Sequence, residues 1–158
     1  MPFQIKPFIA DQIEKAASRY VIDLAALNEE SRAQSPGGSA RSAYDYTYEC
    51  AVVNRRVAAR LRGEDPGPWP FGEGWALAPA GFRDAETAGA ELKSSAEELV
   101  SAWNAFPEER IEQPIVLTSG DAKPVELVHL CAVHLNYHDA QLNLLQAMSG
   151  DESMHWDD

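Results

Sequence analysis

The fold is decided by the stretch from Pro124 to Met148, which reads PVELVHLCAVHLNYHDAQLNLLQAM. Proline suits the first position of a helix, because the N–H that it lacks would have no partner there, and Gly150 follows as a stop. Alternating steps of four and three connect seven of its residues: Leu127, Cys131, His134, His138, Gln141, Leu145 and Met148. This spacing predicts one long helix whose inner face carries two imidazoles and an amide.

Three earlier stretches show the same helical spacing of apolar residues. The first predicted helix runs from Pro7 to about Glu30, the second from about Ala40 to Arg62, and the third from near Asp84 to near Phe106. Ser39 or Ser42 can cap the second helix through its hydroxyl. With the last helix they predict an all-α fold, a four-helix bundle with a long crossover loop between helices two and three.

Two connections are longer than a bundle turn requires. Residues 65–75, DPGPWPFGEGW, contain too much proline and glycine for a helix, so they form either a plug on the end of the core or a lid over a pocket. The stretch 111–117, IEQPIVL, favours extended structure without an evident partner strand. We therefore expect an extended crossover, ended by Thr118, Ser119, Gly120 and Asp121, rather than part of a sheet.

Composition limits the classes of function. The chain of 158 residues fits one domain, residues 1–158, and its net charge of -12 opposes binding to nucleic acid or to anionic membranes. Cys50 and Cys131 both lie in apolar helical stretches, which favours buried thiols in a reducing compartment. With no signal peptide or membrane span in the sequence, we expect a cytoplasmic protein.

The two histidines of the last helix are candidates for a metal site. His134 and His138 are one turn apart on the predicted inner face, where polar rings without partners would each cost about 1–3 kcal/mol. Their spacing lets both rings bind one divalent metal such as Zn, Ni or Fe(II). The third ligand is open: Glu49, at the rim of the second helix's inner face, is the first choice, with Asp45 and the tail residue His155 as alternatives.

The stretch HLNYHDAQL, residues 134–142, resembles the HxxxHxxQ signature of the DinB-like superfamily. The resemblance implies a four-helix bundle, often dimeric, that holds a divalent metal through one histidine of helix two and the histidine pair of helix four. It also implies transfer or isomerisation reactions that use low-molecular-weight thiols. The second predicted helix contains no histidine between Ser42 and Leu61, so the ligand set carries over only for His134 and His138.

These patterns predict a metal-dependent enzyme, a thiol transferase or a hydrolase acting on a small molecule, and a homodimer. The metal would activate a bound thiol or water, with Gln141, Tyr46 and Trp75 in the substrate pocket. The alternative is a non-catalytic dimeric bundle with a degenerate metal site. In that case the histidines would hydrogen-bond to Glu49 and Tyr46, and the protein would serve as a stress-associated binding module.

Overall fold

The structure, a computed structural model, describes residues 3–117 and 120–155. These residues form five helices: α1 (Ile5–Ala26), α2 (Glu29–Ala33), α3 (Ala43–Leu61), α4 (Ala85–Ala105) and α5 (Pro124–Met148). Two 3₁₀ turns occupy Ala80–Phe82 and Glu108–Arg110, and two short strands are β1 (Ile115–Leu117) and β2 (Gly120–Ala122). The predicted helices one to four correspond to α1, α3, α4 and α5.

The four long helices form a bundle. Helices α1 and α3 each pack against both α4 and α5, and Trp103, Tyr20 and Tyr44 are the largest side chains fully buried between them. The predicted all-α four-helix bundle with a long loop after its second helix is confirmed. Each long helix thus turns one face inward, and the polar residues on those inner faces meet in the core.

Side-chain caps set where the helices begin. Ser42, one of the two predicted caps, forms a capping box with Asp45, so α3 begins at Ala43 rather than Ala40. Asp84 caps α4, close to the predicted start. The first helix ends at Ala26, not near Glu30, because the Asn28 side chain accepts from the backbone N–H of Ser31 and starts α2 instead.

The connection before α5 contains a small sheet, which contradicts the predicted extended crossover. β1 and β2 pair antiparallel, with Ile115 opposite Ala122 and Leu117 opposite Gly120. Gly120 has a φ of 118°, which permits the sharp turn into the second strand. The partner strand was not recognised because it is only three residues long. Thr118 and Ser119, part of the predicted turn, lie outside the described residues.

The predicted inner seam of α5 drifts along the helix. Leu127, Cys131, His138 and Leu145 are buried, but Met148 is 61% exposed, so its predicted inward position is wrong. A strict seven-residue repeat shifts by about 20° per repeat on a straight α-helix, so three repeats move Met148 about 60° away from Leu127. The same drift leaves His134 and Gln141 partly exposed, at the rim of the core.

The long loop between α3 and α4 is tied to the outside of α3. The guanidinium of Arg56 donates to the carbonyls of Pro66, Gly67 and Pro68, at 2.7 to 3.1 Å. Further along the loop, the ring of Phe71 packs edge-on against Tyr48. No helix in the described part of the chain is long and apolar enough to cross a membrane.

Candidate metal centre

A cavity of about 400 Å³ opens between α3 and α5, beside the turn that precedes α3 and the end of the long loop. It brings together six residues that were predicted from the sequence to bind the metal or the substrate: Tyr46, Glu49, Trp75, His134, His138 and Gln141. The histidines and Glu49 lie at its base, while Trp75 is 65% exposed at its edge. The loop therefore borders this pocket through Trp75 without enclosing it, and the choice between a lid and a plug stays a prediction.

The imidazoles of His134 and His138 meet directly. Their Nε2 atoms are 2.9 Å apart, and the side chain of His138 is 2% exposed. The Nδ1 atom of His138 lies 2.6 Å from Oε1 of Gln141, and an amide oxygen can only accept, so Nδ1 carries the proton. The free Nε2 lone pair of His138 therefore points towards His134, and in the metal-free state His134 donates to it.

Glu49 completes the cluster from α3. Its Oε1 atom lies 3.5 Å from Nε2 of His134 and 3.8 Å from Nε2 of His138, and its Oε2 atom accepts from the guanidinium of Arg41. Burial alone would raise the pKa of the Glu49 carboxyl. The neighbouring imidazoles of His134 and His138, together with the hydrogen bond and the charge of Arg41, instead hold that pKa well below its usual range. The carboxylate is therefore ionised whenever the protein is folded near neutral pH.

Cys50 adds a fourth donor that the sequence analysis treated only as a buried thiol. Its Sγ atom and one ring nitrogen of each histidine all lie within 4.8 Å of one another. Burial, and then the nearby charge of Glu49, raises the pKa of this thiol well above its ordinary value. The thiol is therefore protonated in the metal-free protein. Its position directly after Glu49 on the inner face was the available signal for this role.

Arg41 is a site residue that the sequence analysis missed. It is 8% exposed, and its guanidinium carbon lies 4.8 Å from the ring centre of Tyr46 and 4.7 Å from that of Trp75. The Tyr46 ring in turn stacks on His138 with centres 5.1 Å apart. The Tyr46 hydroxyl accepts from the backbone N–H of Arg41, not from a histidine. An arginine in a turn before a helix cap has no sequence pattern that marks this role.

The two alternative third ligands lie elsewhere. Asp45 is buried, but its carboxylate accepts from Ser42, from the backbone N–H of Ala78 and from the guanidinium of Arg83. His155 is bonded to Asp151, with 2.8 Å between Nε2 and Oδ2. Of the three candidates for the third ligand, Glu49 is the one that faces the histidine pair.

The arrangement of donors suits a divalent metal. Ligand atoms at about 2.0–2.2 Å from one ion lie roughly 3 to 3.6 Å from one another, and the two Nε2 atoms and Oε1 of Glu49 are already close to that spacing. The hydrogen bond from His138 to Gln141 is the outer-shell contact by which proteins orient a metal-binding histidine. Two imidazoles, a carboxylate and a nearby thiol suit Zn, Ni or Fe(II).

A helical bundle with inward histidines and a carboxylate from a facing helix is the architecture of bundle metal sites. The family model of the DinB superfamily matches residues 12–142. The chain therefore belongs to the DinB superfamily, and the resemblance seen in residues 134–142 is confirmed. Where that resemblance implied a histidine on the second long helix, α3 places Glu49 and Cys50 beside the histidine pair.

One solved structure of similar fold is the crystal structure of a DinB-like protein from Bacillus subtilis. It superposes with a TM-score of 0.69 over 94% of this chain and 96% of that chain, at 15% sequence identity. A likeness at this identity establishes the shared fold. Among curated protein sequences, none matches the chain.

Proposed function

We propose that this chain is a divalent-metal-dependent enzyme, a thiol transferase or a hydrolase that acts on a small molecule. The observation that supports it is the convergence of His134, His138 and Glu49 at the base of an open cavity. Two neutral imidazoles and one carboxylate leave coordination positions free for a substrate atom. A buried polar ring such as that of His138 costs stability in an ordinary core, so its presence there favours a functional role.

Each residue has a separate part in this proposal. His134, His138 and Glu49 hold the metal, and Cys50 can join them from the next position of α3. A divalent metal bound there supplies Lewis acidity, which lowers the pKa of a bound thiol or water. Gln141 keeps Nδ1 of His138 protonated, and so leaves its Nε2 free to bind.

The wall of the cavity provides the substrate contacts. Tyr46 and Trp75 present aromatic surface on either side of Arg41, and Gln141 lines the opposite wall on α5. We propose that this wall holds a small substrate against the metal, with a low-molecular-weight thiol as the second reactant in the transferase case. Arg41 keeps Glu49 ionised, because its charge and its hydrogen bond both favour the carboxylate.

The same proposal includes the cellular compartment of the protein and the absence of nucleic acid among its partners. The net charge of -12 supports a protein that does not bind nucleic acid. Cys50 and Cys131 are both buried and unpaired, which supports a reducing compartment such as the cytoplasm.

The first experiment measures metal binding. We expect the wild type to bind about one Zn, Ni or Fe(II) per chain in elemental analysis and titration, and His138→Ala to lose most of that affinity. His129→Ala is the matched control, because His129 lies on the same helix but is exposed. Equal and negligible binding by the wild type and His138→Ala would reject the metal site.

The second experiment tests the thiol. The Co(II)-loaded protein should develop a thiolate-to-cobalt charge-transfer band when a small thiol such as glutathione or cysteine is added. The Cys50→Ala variant should give the same added band, which separates the external thiol from the protein's own sulfur. A spectrum that does not change with any thiol would leave hydrolysis, with bound water, as the reaction type.

A non-catalytic binding module is the second candidate, and one observation favours it. The histidines bond to each other and Glu49 pairs with Arg41, so most of the polar groups are satisfied without a metal. The site would then be degenerate, as the sequence alternative expected, although Tyr46 stacks on His138 rather than hydrogen-bonding to it. The metal titration separates the two, since this module binds none.

A further inference from the structure

The guanidinium of Arg41 is buried in the wall of the cavity that holds the candidate metal centre. Arg41 is 8% exposed, although it lies in the segment before α3, where a long charged side chain ordinarily extends into water. Its guanidinium carbon lies over the rings of Trp75 and Tyr46, and Tyr46 in turn stacks on His138. Planar groups therefore follow one another from the long loop to the metal centre, and Arg41 is held within this series.

Three of the five N–H groups of this guanidinium have no acceptor in the described part of the chain. Both hydrogen bonds that the protein gives it use one nitrogen, Nη1, which donates to Oε2 of Glu49 and to the carbonyl of Ala76. The other two nitrogens, Nε and Nη2, are not among the buried atoms without a partner, so they are accessible. Because Arg41 lines the cavity, the edge formed by Nε and Nη2 is available to a ligand there.

The lining of this cavity differs in charge from the rest of the chain. The sequence contains 25 Asp and Glu residues, but of the described residues that line the cavity only Glu49 is acidic, and it is paired with Arg41. Ser39 and Tyr137, which also line the cavity, carry hydroxyl groups. An anionic group that enters therefore meets hydrogen-bond donors and no unpaired carboxylate among these residues.

We propose that the substrate of this site carries a carboxylate group, which Nε and Nη2 of Arg41 bind through two parallel hydrogen bonds. Such a paired contact is the geometry in which arginine recognises a planar carboxylate. This inference rests on the proposed function, because it names the class of small molecule that the site takes. Oε1 of Glu49 faces the histidines and Oε2 faces Arg41, so the carboxylate site lies directly beside the metal site. One small substrate can reach both.

The first test compares two probes of similar shape, benzoate and benzamide, by calorimetric titration into the zinc-loaded protein, with the zinc content of each sample measured. We expect the wild type to bind benzoate at least about 10-fold more tightly than benzamide, since a hydrogen bond to a charged group contributes an effect of that size. Arg41→Lys keeps the positive charge but loses the planar pair of donors. It should bind benzoate about 10-fold more weakly than the wild type and benzamide with nearly the same affinity.

Arg56→Lys is the matched control for this substitution. The guanidinium of Arg56 also lies beside a tryptophan of the long loop, Trp69, but it donates to carbonyls of that loop and does not line the cavity. This variant should bind benzoate like the wild type. Equal benzoate affinities of the wild type and Arg41→Lys would overturn the inference.

The second test uses the wild type alone. In isotope-labelled protein, the Nε–H signal of Arg41 can be assigned by nuclear magnetic resonance through bonds from its own backbone. We expect this signal to shift when benzoate is added and to stay in place when benzamide is added. The Nε–H signal of Arg56 should respond to neither probe. An Arg41 signal that benzoate does not shift would overturn the inference.

The two tests separate this inference from the proposed function. If the protein binds zinc but Arg41 does not respond to benzoate, the carboxylate inference is wrong and the metal centre is unaffected. If the protein binds no zinc, both tests are made on the metal-free protein. A response of Arg41 to benzoate there would support the carboxylate inference and reject the proposed function alone, and no response would reject both.

Discussion

The Nδ1 atom of His138 donates to the Oε1 atom of Gln141, one turn further along α5, across 2.6 Å. This bond decides which nitrogen of the imidazole carries its proton, and so which nitrogen is free to bind a metal. Because both residues lie on one rigid helix, the orientation of the ring is set before any ligand arrives.

A change at Gln141 should therefore act on metal affinity without touching a ligand. We expect Gln141→Leu to weaken binding by about 10- to 100-fold, the range for a lost outer-shell partner, because Nδ1 of His138 is left without its acceptor. Gln141→Glu keeps an acceptor oxygen and should bind nearly as tightly as the wild type. Competition titration against a chromophoric chelator measures both, and equal affinities for all three proteins would show that the bond has no orienting role.

The identity of the third ligand can be decided on α3. We expect Glu49→Gln to weaken metal binding by at least about 10-fold, because the carboxylate charge is lost beside the ion. Asp45→Asn should leave the metal affinity unchanged, since the Asp45 carboxylate accepts from Arg83 and takes part in the capping box of α3 instead. If Glu49→Gln binds like the wild type while Cys50→Ala does not, the ligand is the thiol. If His155→Ala weakens metal binding while Glu49→Gln does not, the third ligand is His155 of the C-terminal tail.

A buried hydrogen bond between α3 and α4 offers a test of stability away from the site. The side-chain amide of Asn54 donates to Oγ of Ser95 at 3.1 Å, and both residues are fully buried. Ser95→Ala should lower the free energy of unfolding by about 1–3 kcal/mol, because a buried amide loses its partner. Ser94→Ala, at an exposed position, should change it by less than about 0.5 kcal/mol. Urea denaturation measures both, and equal stabilities would contradict the expectation.

Stability should also depend on pH through Asp139, which faces α1. Burial raises the pKa of this carboxyl to about 7, with further contributions from the charge and hydrogen bond of Asp23, and Arg19 opposes the shift. Tyr20 lies in the same electrostatic environment. A carboxyl whose pKa is raised by folding stabilises fully below its ordinary pKa and loses that contribution as pH rises through about 7.

Asp139→Asn removes this dependence. We expect its free energy of unfolding to exceed that of the wild type increasingly as pH rises from about 4 to about 8. Urea denaturation across this range checks the sign, because the difference in free energy of unfolding between the variant and the wild type should increase with pH. Curves that stay parallel would show that the carboxyl does not titrate in the folded protein.

Much of the fold could be predicted because apolar residues at steps of three and four mark the buried face of a helix. The spacing of α4 placed Leu92, Leu99 and Trp103 in the core, where they are found. The prediction for Met148 was wrong because it assumed that residues seven apart keep the same direction over three repeats. On a straight helix each repeat shifts that direction by about 20°. The hairpin was missed because two strands of three residues give too little alternation to recognise.

The candidate site was predictable where its residues share one helix. His134, His138 and Gln141 are related by spacings of three and four, so their proximity follows from helix geometry alone. Arg41 could not be found this way, because its place beside Glu49 depends on how the turn before α3 folds back over the helix. Cys50 was assigned to the correct face, but the chemistry of a thiol beside two imidazoles becomes visible only when α3 and α5 are packed together.

The pairing of Arg41 with Glu49 has an electrostatic consequence for the cavity. The unit charges of Arg41 and Glu49 cancel one another, although the whole chain carries a net charge of -12. A divalent ion held there would create a local excess of two positive charges, enclosed by low-dielectric walls and an anionic exterior. Such a positive potential would favour an anion in the remaining coordination position. It would also attract negatively charged reactants to the mouth of the cavity, against the repulsion of the surrounding acidic surface.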